Sequence, residues 1–163
     1  LLLANAHSKL HRDYKIINLS SADEMLGGVK KYLPVDIAIC AAAVSDYKVK
    51  NISKEKIKKK DVEELEIKLN KNPDILKYIC ESKNRPDFVV GFAAETESLE
   101  GNAKEKLLNK KCDVILASNI LENDVLGSDD TNLLCISKGA VEDWGRISKI
   151  DAARKLIDYI SQK

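Results

Sequence analysis

Ile37-Ala38-Ile39-Cys40-Ala41-Ala42-Ala43 is a near-continuous apolar run of strand length, flanked by Pro34 on one side and Ser45-Asp46 on the other. Runs of this kind occur where both faces of a parallel sheet are covered. Working outward, the same signal recurs at Phe88 to Phe92 and at Val114 to Ala117, and Tyr14 to Leu19 reads as a further strand. Between the strands lie helix-like stretches. Ser21-Ala22-Asp23-Glu24 reads as a capping box opening a helix to about Tyr32, which Pro34 ends. Asn72-Pro73-Asp74 opens a helix through about Glu81, with Pro73 in its first turn, and Leu99 to Lys110 forms another. Ile67-Lys68-Leu69 alternates like a short strand, and Thr131 to Ile136 and Ala140 to Trp144 form a hairpin around Lys138-Gly139. An amphipathic helix closes the chain from Ser148 to Ile160, with Ile150, Ala153, Leu156, Ile157 and Ile160 as its apolar positions. Alternating strands and helices with short connections predict a doubly wound α/β fold: a mostly parallel, Rossmann-like sheet with a C-terminal β-hairpin and helix.

Composition narrows the function classes. The 163 residues suit one domain, with 44% apolar and 33% charged residues and a net charge of +1. That balance gives no global field for nucleic acid or a membrane surface. No stretch has the length of a membrane span, and no signal peptide is visible. The first residue is leucine, and Leu1-Leu2-Leu3-Ala4 resembles the middle of a strand. Cys40, Cys80, Cys112 and Cys135 are widely spaced without a Cys-x-x-Cys pair, which predicts buried thiols in a reducing cytosol. His7 and His11 lie i, i+4, but no glutamate follows His7 in the manner of a zinc protease, so they read as solvated.

In open α/β sheets ligands bind beyond the carboxyl ends of the strands, so these ends hold the candidates. Small residues at Ala41 to Ala43 leave room for a ligand near the backbone, and Asp46 follows. It either caps a tight turn or faces a ribose hydroxyl, a base or a magnesium ion. Gly91-Phe92-Ala93-Ala94-Glu95-Thr96 follows the next strand. Gly91 permits close backbone approach, and Phe92 either stacks on a base or belongs to the core, with Thr96 as a helix cap. Asn119 ends the third strand, where turn chemistry is the simpler reading. The lysines fall in two groups. Lys56-Ile57-Lys58-Lys59-Lys60 lies in a polar stretch, Val49 to Glu64, that reads as mobile; Lys106 and Lys110 share a helix face. Each is either a solvated cation or a phosphate partner. No Gly-x-Gly-x-x-Gly, Walker loop or serine–histidine–aspartate set is present, so the residues by themselves reach an α/β domain with a nucleotide-like cleft and no further.

Taken together these segments resemble the phosphopantothenate–cysteine ligase family in its bacterial form. The matching stretches are Ala41 to Tyr47, Lys56 to Lys59, Leu69 to Leu76, Val90 to Thr96, Lys106 to Asp113, Ala117 to Asn119 and Gly127 to Asp130, in the family's order and with similar spacing. The resemblance implies an enzyme of coenzyme A biosynthesis that joins 4′-phosphopantothenate to cysteine. CTP with Mg2+ would form an acyl-cytidylate, releasing pyrophosphate, and the cysteine amine would then displace CMP. It implies that Cys40, Ala41 and Ala42 border the nucleotide through their backbone. Asp46 would bind the nucleotide near the metal, and Lys56 would begin a flap that closes the site and assists the cysteine step. Pro73, Asp74, Ile75 and Leu76 would read the base, partly through free amides at a helix start, Phe92 would pack on the nucleotide, and Lys106 and Lys110 would contact it. Also implied are a homodimer, a cytoplasmic location and fusion to a flavin-dependent decarboxylase. In the family a strand, a glycine-rich phosphate loop and a helix come first, followed by an asparagine that holds the acyl-phosphopantothenate. Leu1 aligns within the second strand, so the chain reads as one ligase domain lacking that opening segment. Leu126 stands where the family often has phenylalanine. Two other classes compete: an NAD(P)-dependent reductase of the Rossmann type, which requires a Gly-x-Gly-x-x-Gly loop, and a non-catalytic α/β interaction module.

Overall fold

The computed structural model describes residues 2–4, 15–53, 55–58, 64–119 and 128–163. His7, His11, Lys59, Lys60, Leu126 and Gly127 lie outside the described residues. The chain divides into two compact units, one drawn from Leu1–Lys30 and Ala43–Ile75, the other from Lys31–Ala42 and Leu76–Lys163.

In the first unit, β1 (Leu2–Ala4) pairs in parallel with β2 (Ile17–Leu19), and α1 (Ala22–Tyr32) follows. The Ser21 hydroxyl accepts the Glu24 amide at 3.2 Å, as a cap should. The return bond differs from the expected box: the Glu24 carboxylate takes the Ser20 amide at 2.7 Å and the Ser20 hydroxyl at 2.9 Å. These bonds hold the Glu24 carboxyl below its ordinary value. Met25 and Val29, one turn apart, are the buried residues of α1. A glycine inside a helix costs about 1 kcal/mol against alanine. At Gly28 packing supplies the reason, because a Cβ there would lie 3.1 Å from Leu2 Cδ1 and 3.6 Å from Leu19 Cδ1.

The first unit also holds an antiparallel ladder of β4 (Tyr47–Val49) and β5 (Leu69–Lys71). The expected strand at Ile67 to Leu69 therefore begins two residues later. The Lys68 carbonyl still accepts the Lys50 amide at 2.8 Å. The Lys48 ammonium pairs with Asp23 of α1.

The second unit is built on a five-stranded sheet in the order β3 (Ile37–Cys40), β6 (Phe88–Glu95), β7 (Val114–Asn119), β8 (Asp130–Ser137), β9 (Val141–Ser148). β3, β6 and β7 are parallel, and the last two strands are antiparallel additions. The two central parallel strands behave as expected, with near-continuous burial. β3 does not. It ends at Cys40 rather than Ala43, has one sheet neighbour among the described residues, and leaves Ile37 and Ile39 each 45% exposed.

Period-2 alternation splits β6 between two faces. Val90 joins Val114, Leu116, Trp144, Ala152 and Leu156 in one buried cluster, with Phe88 and Phe92 packed against it. Gly91 points the other way, toward Leu76, Ile115 and Cys112. α2 (Ile75–Glu81) and α3 (Leu99–Lys110) provide the crossovers. Pro73 falls two residues ahead of α2 rather than inside its first turn. At the amino ends of β6 and β7, the Asp113 carboxylate accepts Arg85 at 2.6 Å and the Val89 amide at 2.8 Å.

The hairpin forms around Lys138-Gly139, and β9 continues past Trp144 to Ser148. It can do so because a bulge places Leu133 opposite Gly145 and Leu134 opposite Asp143, leaving Trp144 as the extra residue. Gly145 takes φ +64° there, a conformation that favours glycine. Trp144 turns inward, and Lys155 lies 4.9 Å above its ring. α4 (Lys149–Ser161) is capped by Ser148, whose hydroxyl accepts the Asp151 amide. Its buried residues are Ala152 and Leu156, with Tyr159 and Ile160 partly covered. Ile150, Ala153 and Ile157, expected on the apolar face, are exposed.

Candidate functional site

In the second unit the strand register brings three candidates to one level. Cys40 is the partner of Gly91, so Cys40, Ala41 and Ala42 leave β3 beside Phe92 of β6. β6 and β7 run on together to Glu95 and Asn119. Gly91 and Phe92 are therefore interior strand residues, not a strand end. The space above Gly91 is filled from within the protein: a Cβ would sit 2.7 Å from both Leu76 Cδ2 and Ile115 Cδ1. The glycine makes room for those side chains rather than for a ligand. Phe92 is half-buried, with one side on the core cluster.

β6 hands over to α3 through Thr96 to Ser98. Ser98, not Thr96, is the N-cap, with φ 47° and no side-chain cap bond. Asn102 supplies the missing tie: its amide donates to the Glu97 carbonyl at 2.9 Å and to the Glu95 carboxylate at 3.3 Å. Lys106 and Lys110 lie on this helix, half-buried, and line a shallow depression with Asn102, Glu105 and Asn109. α3 thus presents two ammonium groups at i, i+4 spacing, a pattern suited to phosphate oxygens, while the Asn109 amide donates to Glu105 at 3.2 Å.

The thiols belong to the second unit, and none of the four is in a disulfide. Burial raises the Cys40 thiol to about 11, with Cys80 adding to the shift. Cys112 is raised first by its hydrogen bond with Cys80 and then by burial. Burial also raises Cys135 to about 11. Thiols held in this way pack as small apolar groups and are poor nucleophiles.

In the first unit Asp46 and the segment from Asn72 onward meet at the base of the β4–β5 ladder. Tyr47 pairs with Lys71, so the next positions outward are Asp46 and Asn72. The Asn72 amide donates to the Asp46 carbonyl at 2.8 Å, and its side-chain amide donates to the Ser45 carbonyl at 2.8 Å. Ser45 closes the turn, its hydroxyl donating to the Tyr47 carbonyl at 2.9 Å. The Asp46 side chain is exposed, Pro73 is half-buried, Asp74 is exposed and Ile75 is buried. The ladder therefore joins Asp46 to Pro73 and Asp74. Lys56 is exposed and belongs to the excursion beyond Val49, away from the base of the ladder. Val49, Ile52, Ile57, Leu65 and Ile67 are among the residues that line an open apolar groove there.

Among the described residues no group of three or more histidine, cysteine, aspartate or glutamate side chains could hold a metal ion. A lone exposed carboxylate such as Asp46 suits Mg2+, which keeps its waters and is usually held by one or two carboxylates with substrate phosphates. Among the described residues no helix is long and apolar enough to cross a membrane.

The sequence matches the family model described as the DNA/pantothenate metabolism flavoprotein C-terminal domain over residues 1–163. It is 36% identical over 148 residues to the coenzyme A biosynthesis bifunctional protein CoaBC of Haemophilus influenzae, covering 90% of this chain and 37% of that protein. The corresponding protein of Borreliella burgdorferi is 37% identical over 147 residues, covering 89% of this chain and 37% of that protein. The chain thus spans just over a third of these relatives' length. The crystal structure of a CoaBC C-terminal domain superposes with TM-score 0.76 at 27% identity, covering 99% of this chain and 72% of that one. A Streptococcus pneumoniae flavoprotein of DNA/pantothenate metabolism shares the fold at TM-score 0.78 and 18% identity, covering 99% of this chain and 79% of that one. The α/β architecture agrees with both structures, and the chain belongs to the DNA/pantothenate metabolism flavoprotein C-terminal domain family.

Proposed function

We propose that this chain is the ligase portion of an enzyme of coenzyme A biosynthesis, joining 4′-phosphopantothenate to cysteine. The observation that carries this reading is the clamp at the base of the β4–β5 ladder. Two hydrogen bonds from Asn72 hold the Asp46 turn against the Asn72-Pro73-Asp74 segment, so an exposed carboxylate stands beside the stretch assigned to base reading. Membership in the family and the resemblance to CoaBC proteins support it.

The chemistry follows from the substrates. A carboxylate is a poor electrophile for an amine. An oxygen of the phosphopantothenate carboxylate attacks the α-phosphorus of CTP, pyrophosphate leaves, and a mixed anhydride results. The cysteine amine then attacks the acyl carbon and loses a proton, and CMP leaves with the bonding pair. The protein's part is to position these groups and neutralise phosphate charge. Asp46 would hold Mg2+, which when bound offsets that charge. Cys40, Ala41 and Ala42 border the nucleotide, Pro73 to Leu76 read the base, Phe92 packs on it, and Lys106 and Lys110 contact it. Lys56 closes over the site and assists the amine step. The active protein is a cytoplasmic homodimer carrying a flavin-dependent decarboxylase domain on the same chain.

The test is Lys56→Gln in the full-length protein. The acyl-cytidylate should accumulate while the cysteine product is lost. Product at the wild-type rate removes Lys56 from the reaction.

A further inference from the structure

Asn72 carries an atom that the fold leaves unused. Its Nδ2 donates to the Ser45 carbonyl at 2.8 Å, and its own backbone amide donates to the Asp46 carbonyl at 2.8 Å. A carbonyl only accepts, so the side-chain group facing Ser45 must be the NH2, and this fixes the orientation of the amide. Oδ1 is then turned away from Ser45. It is buried, and it accepts no hydrogen bond among the described residues. A buried acceptor without a donor is costly, and native proteins rarely keep one without a use. This one lies between Asp46 and Pro73, two residues already assigned to nucleotide binding.

We propose that Asn72 is a nucleotide-binding residue: its Oδ1 accepts a hydrogen bond from the bound nucleotide, while its Nδ2 positions the Asp46 turn. The inference rests on the nucleotide reading given above and deepens it. The donor it takes is an N–H or O–H group, either the exocyclic amine of cytosine or a ribose hydroxyl. One side chain then couples base or sugar recognition to the carboxylate assigned to the metal. An apolar replacement loses both functions.

The two functions separate by calorimetry on the full-length protein and its Asn72→Ala variant. Four Mg2+-bound triphosphates serve as probes: CTP, its 2′-deoxy and 3′-deoxy analogues, and the pyrimidin-2-one analogue that lacks the amine. The variant should bind CTP about tenfold more weakly, equivalent to ~1.4 kcal/mol. The analogue missing the matched donor should lose several-fold less affinity on this substitution than CTP does, because its partner is already absent and only the loss from the Asp46 turn remains. The amine-free probe identifies the base as the source, and a deoxy probe identifies the sugar. An equal loss for all four probes makes Asn72 a strut only and overturns the proposal, as does an unchanged affinity for CTP. Failure of the wild-type protein to bind any probe instead overturns the nucleotide reading itself, and this inference with it. If Asn72→Ala does not fold, Asn72→Ser carries the same comparison.

Discussion

Gly91→Ala is the substitution whose cost the structure defines most closely. The added Cβ would lie 2.7 Å from Ile115 Cδ1 and 2.7 Å from Leu76 Cδ2. Carbon atoms in contact prefer 3.5–4.0 Å, so each neighbour must retreat by about 1 Å. Ile115 is fully buried and cannot retreat freely, while Leu76 is half-buried and can give more. Overpacking of this kind costs about 1–3 kcal/mol. Against it, alanine restricts the unfolded chain and returns about 0.4–1 kcal/mol. The net expectation is a loss of about 1–2 kcal/mol, or roughly 5 °C in Tm for a chain of this size. The assay is thermal unfolding followed by circular dichroism, with Leu76→Ala and the double variant completing a cycle. Removing the Leu76 methyl groups should recover part of the loss, a favourable coupling between the two sites. An unchanged or raised Tm for Gly91→Ala would refute the claim that Leu76 and Ile115 occupy the space above β6.

Asp46→Asn should weaken Mg2+–CTP binding by about tenfold or more with little change in Tm, since the side chain is exposed and the turn is held through backbone atoms; equal affinity by calorimetry would remove Asp46 from the site. Two carboxyls set an acid limit. Glu24, held by Ser20, and Asp151, held by Ser148 and Arg154, both titrate below their ordinary values of 4.5 and 3.8. Their stabilisation is therefore present above those values and lost as pH falls through the lower folded ones. The urea midpoint of Glu24→Gln/Asp151→Asn should thus fall less than that of wild type between about pH 5 and pH 3, and identical profiles would contradict the assignment. Cys40, raised to about 11, should react with a disulfide reagent at pH 8 on the order of 100-fold more slowly in the folded protein than in urea; equal rates would contradict its burial.

What the sequence disclosed followed from local period and short-range chemistry. β6 and β7 were legible because strands covered on both faces read as unbroken apolar runs. α1 was legible from its Ser21 cap, Glu24 three residues on, and the proline that follows it. The misses depend on distant partners. β4 is three residues long with a central lysine, and it exists because Leu69–Lys71 pairs with it across the excursion. β9 outran its expected end because the bulge at Trp144 depends on the register with β8. Several stripes can be drawn on α4, and the packing of Trp144 selects the one carrying Ala152 and Leu156. Within the candidate site, Asp46 was singled out by its place after the first buried strand, and Pro73 became a binding candidate through the resemblance alone. Asn72 was read only as the opening of a helix, because an orphaned acceptor becomes visible only when both ends of its amide are placed.

The central claim is nucleotide recognition of the kind the ligase reaction requires. Its most direct test is calorimetric titration of Mg2+–CTP, Mg2+–ATP and NAD into the full-length protein. Selective binding of CTP is the predicted result. A preference for ATP would keep the ligase reading and change its nucleotide, whereas binding of NAD alone, or of none of the three, would contradict it.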